Sequence, residues 1–195
     1  MKIEDAINWE YCKAATEELL GRLLPLTDEI LPSLDGKNGI YVVAYEGGEL
    51  GFGLWAGQGP KIVYVGVSKA NSSRHFISGN TGTSTMRRSL AALLESKLDL
   101  IPVPRSKDEA DGDRYNNYAL LPESEDRLTH WMRENFRVAF LEFDPARTEE
   151  LSKMMIDYNV PIFNFQNNPS NKYGAEIKLY RKKCAGEAKR NENLI

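Results

Sequence analysis

Two short runs of β-branched and aromatic residues, Ile40 to Tyr45 and Ile62 to Val67, constrain this chain most. Both are flanked by glycine and rich in side chains that favour extended backbone, so together they predict a hairpin. The first run opens with Gly39-Ile40-Tyr41, the second contains Tyr64-Val65-Gly66, and Arg74 and His75 follow. If the two tyrosines face each other across the hairpin, the arrangement suits cleavage of a phosphodiester. A phenol can accept or donate a proton, and a planar guanidinium fork can hold two phosphate oxygens. The connection from Glu46 to Pro60 is long for a hairpin, and loops beyond about 12 residues are usually functional or mobile.

Helical spacing of Trp9, Cys12, Ala15, Leu19, Leu20, Leu23 and Leu24 predicts an amphipathic helix over 8–24, ended by Pro25. A short helix over 71–78 would carry Arg74. Another, over 86–98 and capped by Thr83 or Ser84, would turn Leu90, Leu93 and Leu94 inward. Residues 102–114, rich in proline and charge, read as a surface loop, 118–121 as a short strand, and 124–135 as a helix with Leu128, Trp131 and Met132 inward. A third clear strand spans 137–143. Asp144-Pro145 then has the form of a helix start running to about Tyr158, and a last helix covers 174–189. Strand, strand, helix, helix, strand, helix implies an α+β fold, a small sheet flanked by helices.

The 195 residues suit one domain with additions, and 42% hydrophobic residues are enough to bury a full core. No apolar run approaches the roughly 18 residues of a membrane span, and the acidic N-terminus is unlike a secretory signal, so a cytoplasmic protein is expected. Cys12 and Cys184 lack metal-ligand spacing and read as reduced thiols. A net charge of −3 argues against indiscriminate coating of nucleic acid. The charge is unevenly distributed, however. From Gly51 to Leu94 there is no acid, while Lys61, Lys69, Arg74, Arg87 and Arg88 fall there. A second basic segment holds Lys172, Lys178, Arg181, Lys182, Lys183, Lys189 and Arg190.

The order of Gly39-Ile40-Tyr41, Tyr64-Val65-Gly66, Arg74 and the later Pro161-Ile162-Phe163-Asn164 resembles the GIY-YIG nuclease family, over roughly residues 39–165. The resemblance implies a three-stranded antiparallel sheet with the active site on one face. It implies a nuclease that hydrolyses DNA phosphodiester bonds with one divalent cation, Mg²⁺ or Mn²⁺, with RNA as another possible partner. By position, Tyr41 would help activate a water, Tyr64 and Arg74 would stabilise the five-coordinate phosphate, and Asn164 would order the site. Residues 1–36 are then an N-terminal helical extension, 37–170 the catalytic domain with an insertion near 100–136, and 171–195 a C-terminal basic helix. His75 is a further phosphate donor or proton shuttle, or a residue at the edge of the site. Lys69, Arg87 and Arg88 are candidate nucleic-acid contacts, the two arginines reading equally well as exposed residues of a capped helix. The stretch Thr81 to Thr85 looks like a P-loop but lacks its lysine, which argues against nucleotide binding.

In one respect the chain departs from the family. The metal-binding glutamate, twelve residues before the asparagine, corresponds to Ser152, and a hydroxyl is a poor ligand for a hard divalent cation. Either Glu149, one helical turn earlier on the same face, supplies the carboxylate, or the scaffold binds nucleic acid without cutting it. A first-turn glutamate also simply favours the helix dipole.

Overall fold

The computed structural model describes residues 6–47, 50, 59–68 and 72–195. In chain order its regular elements are α1 (Trp9–Leu20), β1 (Leu24–Pro25), β2 (Gly39–Tyr45), β3 (Lys61–Val67), α2 (Thr85–Leu94), β4 (Pro102–Val103), β5 (Ala119–Leu120), α3 (Pro122–Asn135), β6 (Phe136–Glu142), α4 (Thr148–Asn159) and α5 (Gly174–Arg190), with short 3₁₀ turns between them. The fold is α+β. The described residues divide into two compact units, one drawing on 6–47, 59–68, 72–73 and 133–172, the other on 50, 74–132 and 173–195.

The first unit is built on an antiparallel sheet of order β1-β6-β2-β3, in which three seven-residue strands are joined by the two-residue edge strand β1. Alternation sends Ile40, Val42, Val65, Ala139 and Leu141 to one face, where Cys12, Ala15 and Leu19 of α1 and Leu151, Met155 and Ile156 of α4 complete a core. Tyr41, Val43 and Tyr64 point to the other face. A register shift pairs Val43 with Tyr64 but Ala44 with Ile62, leaving Val63 as the extra residue. That bulge lets Ile62 and Val65, three residues apart, share the core.

Both helices of this unit are shorter than their sequence suggests. α1 is capped by Asn8, whose Oδ1 accepts from the Tyr11 amide at 2.9 Å, and it ends at Gly21, not Pro25. Leu24 consequently lies on the sheet edge, 47% exposed, and Trp9, 52% exposed, meets the Tyr158 ring at a tilt. Asp144-Pro145 is a turn rather than a helix start: Asp144 Oδ1 accepts from the Ala146 amide at 2.9 Å, and α4 begins at Thr148.

In the second unit, α2 is capped by Ser84, which accepts from the Arg87 amide at 3.1 Å, and Met86 to Leu94 are all buried. α2 packs on α5, which buries Ile177, Cys184 and Ala188. The segment expected to be a plain loop, 102–114, holds β4, paired antiparallel with β5, and a two-pronged ion pair of Arg105 with Asp111, both contacts at 2.7 Å. Cys12 and Cys184 are both buried and free.

Candidate functional site

On the face of the sheet turned away from α1 and α4, the Tyr41 and Tyr64 ring centroids lie 6.0 Å apart with planes inclined at 45°. Tyr41 is 1% exposed and Tyr64 half-buried. Register explains their meeting: Tyr41 pairs directly with Gly66, and Tyr64 lies two residues back on the same face. A Cβ at Gly66 would come within 2.4–2.5 Å of Cζ, Cε1 and Oη of Tyr41, so only glycine leaves room for that ring. At Gly39 a Cβ would lie 2.1 Å from the Leu141 carbonyl oxygen, and φ is +149°. Both motif glycines thus have steric reasons for being there.

Asn164 holds this part of β3 from its outer edge. Its Nδ2 donates to the Val65 carbonyl at 2.8 Å and its Oδ1 accepts from the Val65 amide at 2.9 Å, while the Phe163 amide donates to Val63 O at 3.0 Å. A side-chain amide here does the work of a neighbouring strand, directly between Tyr64 and Gly66. The Asn164 carbonyl in turn accepts from Nδ2 of Asn168 at 3.1 Å and of Asn171 at 3.2 Å. These two asparagines escape sequence reasoning because each reads locally as a turn former; the signal is four asparagines within eight residues after a strand-like segment. Asp35 is missed as well. Its carboxylate accepts from the Ser73 amide at 2.7 Å and the Ser73 hydroxyl at 2.5 Å, fixing the chain immediately before Arg74.

In the second unit, Arg74 is exposed and makes no ion pair among the described residues. His75 is 9% exposed, with Nδ1 at 2.8 Å from Ser84 Oγ. Burial, helped by the charges of Arg74 and Arg87, pushes its pKa down to about 4, so at neutral pH it is the uncharged imidazole. A neutral imidazole offers a phosphate an N–H donor and no positive charge.

Arg87 and Arg88 also differ from expectation. Arg87 is fully buried: its guanidinium meets Glu125 Oε2 at 2.7 Å, Thr129 Oγ1 at 3.0 Å and Thr81 Oγ1 at 3.2 Å. Arg88, 5% exposed, donates to the carbonyls of Thr81 at 3.1 Å and Gly82 at 2.8 Å. Neither side chain is presented to a phosphate; both tie the Thr81 turn to its surroundings. Lys69 lies outside the described residues.

Among the described residues, no set of acidic, histidine or cysteine donors fits a divalent cation beside the tyrosines. Ser152 is 6% exposed on α4, and Glu149 is exposed in that helix's acidic first turn. Among the described residues, three acidic, histidine or cysteine ligand atoms come within 4.8 Å of one another at Glu95, Cys184 and Glu187 in the second unit. There Lys183 Nζ already neutralises the carboxylates, at 2.7 and 3.6 Å, and burial pushes the Cys184 thiol up to about 12. A cleft of about 520 Å³, lined by Tyr11, Asn38, Phe143 and Arg147 among others, opens on the α1 side of β6 and includes neither tyrosine.

The family model for the GIY-YIG catalytic domain matches residues 54–183. Tyr64, Arg74, Ser152 and Asn164 lie within that span; Tyr41 lies before it and joins the set through its register with Gly66. No curated protein and no solved structure matches the chain.

Proposed function

Because the chain belongs to the GIY-YIG catalytic-domain family, whose members act on nucleic acid and generally use a divalent metal, we propose that it is a nuclease hydrolysing DNA phosphodiester bonds. The observation that carries this reading is the seating of Tyr41 on Gly66, with Tyr64 beside it and Asn164 clamping the strand between. A fold that spends a glycine and an asparagine on positioning two phenols is preorganising them.

In this reading the half-buried Tyr64 hydroxyl donates to a non-bridging phosphate oxygen, and the Arg74 fork takes up charge as it develops on the equatorial oxygens. Tyr41, its ring 6.0 Å from that of Tyr64, orients the attacking water through its hydroxyl and holds the Tyr64 ring in place. Members of the family generally use a divalent metal, so Mg²⁺ and Mn²⁺ are the ions to test. Ser152 occupies the family's ligand position, so the roles of the tyrosines and Arg74 rest on the chain's own side chains.

Ser152 favours a second reading, a nucleic-acid-binding protein on the same scaffold without hydrolysis. Plasmid nicking in Mg²⁺ and in Mn²⁺, with Glu149→Gln and Ser152→Glu beside the wild type, separates the two. Wild-type nicking lost in Glu149→Gln assigns the carboxylate to Glu149. Nicking that appears only in Ser152→Glu overturns the nuclease reading.

A further inference from the structure

α1 has three sides. Cys12, Ala15 and Leu19 enter the core, while Trp9 and Thr16 meet α4 through the Tyr158 ring and the Asn159 amide, the latter at 3.1 Å. Tyr11 and Glu18, about 20° apart at about 100° per residue, lie on the remaining flank, across the core stripe from α4. α1 packs over β6 and α4 over β2 and β3, so that flank overlooks the outer edge of β6. The cleft of about 520 Å³ lies there, between Tyr11, Glu18 and Arg22 on one side and Leu141, Glu142 and Phe143 on the other.

Along this stretch β6 has an open edge. The Phe143 amide donates to the Asn38 carbonyl at 3.0 Å and the Glu46 amide to the Asn135 carbonyl at 3.3 Å, which fixes the phase of the ladder. Odd-numbered residues of β6 bond to β2, and even-numbered ones turn their N–H and C=O outwards. Val138 lies opposite Leu24 of β1, but β1 goes no further, so Phe140 and Glu142 face no strand on that side among the described residues. The charges beside this edge are unequal. Three carboxylates line the cleft against two guanidiniums, those of Arg22 and Arg147. Arg22 is paired with Glu18 at 2.9 Å and Arg147 with Glu150 at 3.1 Å, whereas Glu142 makes no ion pair among the described residues. The Tyr11 and Phe143 rings, edge to face at 6.0 Å, supply an apolar wall.

We propose that this edge of β6, with the cleft beside it, binds an extended basic segment of a protein partner by strand addition. The partner's backbone pairs with the outward groups of Phe140 and Glu142, an apolar side chain rests on Tyr11 and Phe143, and a lysine or arginine meets Glu142. From Ala139 to Glu142 the open edge runs about 13 Å, the length of four residues of an added strand. The excess of acid repels a phosphate backbone, and pairing of two copies edge to edge would bring both sets of carboxylates into one seam. Tyr41 and Tyr64 lie on the opposite face of the sheet, so peptide binding here is independent of the nuclease reading.

The test is fluorescence anisotropy of a fluorescein-labelled peptide, Lys-Val-Lys-Phe-Lys-Val, with the full chain, and NMR of amide exchange in the same mixture. Binding should slow exchange at Phe140 and Glu142 and disappear when alternate peptide amides are N-methylated. Glu142→Gln should weaken binding by about twofold to fivefold, the worth of an exposed ion pair. Glu142→Pro also removes the outward N–H, at an edge position where proline breaks no ladder bond, and should weaken binding by about fivefold more. If Glu142→Pro melts early, the N-methylated peptide makes the same distinction on the wild type. No binding of the basic peptide overturns the proposal, as does equal binding of its N-methylated form or of the peptide with glutamate in place of lysine. A wild-type dimer in sedimentation that Glu142→Pro dissociates assigns the edge to a second copy and overturns it too.

Discussion

Replacing Arg87 should destabilise the second unit. The guanidinium is 0% exposed and Glu125 only 2%, and beyond Arg87 the Glu125 carboxylate is met by the amide and hydroxyl of Thr81 at 3.2 and 2.8 Å. Arg87→Met retains much of the side-chain volume, so the cost is chiefly electrostatic: a buried carboxylate loses its cation, and Thr129 loses a donor. Breaking one half of such a pair costs about 3–5 kcal/mol. Against a total stability of roughly 5–15 kcal/mol, that is a large fraction. In urea, with an m of about 2–3 kcal/mol/M, a loss of about 4 kcal/mol moves the midpoint down by about 1.3–2 M. Fluorescence of Trp131, 7% exposed on α3, is the natural probe. Adding Glu125→Leu should recover much of the loss, because the stranded charge is gone. If Arg87→Met stays within about 1 kcal/mol of wild type while duplex binding loses salt dependence, the structural reading of Arg87 is wrong.

Three further outcomes follow from the same geometry. The folded pKa of His75 lies near 4, against 6.5 ordinarily, so the unfolded chain binds more protons between these values; stability is complete above about pH 6.5 and falls as pH drops towards 4, by about 3 kcal/mol. His75→Gln should flatten that part of the acid limb relative to wild type in urea melts across pH. Gly66→Ala places a Cβ within 2.4–2.5 Å of the Tyr41 ring, and overpacking of this kind costs about 1–3 kcal/mol; in a Tyr41→Ala background the same change should cost far less, which a double-mutant cycle measures. Asn164→Ala leaves the amide and carbonyl of Val65 without their partner at a cost of about 2–3 kcal/mol, seen as faster hydrogen exchange at Val65, whereas an unaltered exchange rate would show that the clamp is dispensable.

What the sequence made legible was decided locally. β2, β3 and β6 are evident from their β-branched and aromatic runs, and α5 from its spacing, because neighbouring residues alone determine those patterns. The errors share one cause, a distant or backbone partner. Pro25 looks like the end of α1, yet the Gly21 amide closes that helix on the Glu17 carbonyl at 3.0 Å. The two-residue strand β1 has no periodicity to read and exists only through its pairing with Val138 and Arg137. Arg87 and Arg88 read as surface cations because Glu125, 38 residues away, and the Thr81 and Gly82 carbonyls are invisible from the local segment. Around the tyrosines the motif itself was legible, but the reason for Gly66 was not, since it lies in the ring of a residue on another strand.

The most direct test of the central claim, that the tyrosine pair serves phosphodiester hydrolysis, is a nicking time course on supercoiled plasmid in Mn²⁺ with wild type, Tyr64→Phe and Arg74→Ala. The account predicts nicked circles from the wild type and rates lower by about 10²-fold or more in each variant, the usual cost of removing a positioned donor to developing charge. Nicking at wild-type rate in both variants, or none from the wild type in any metal, would contradict it.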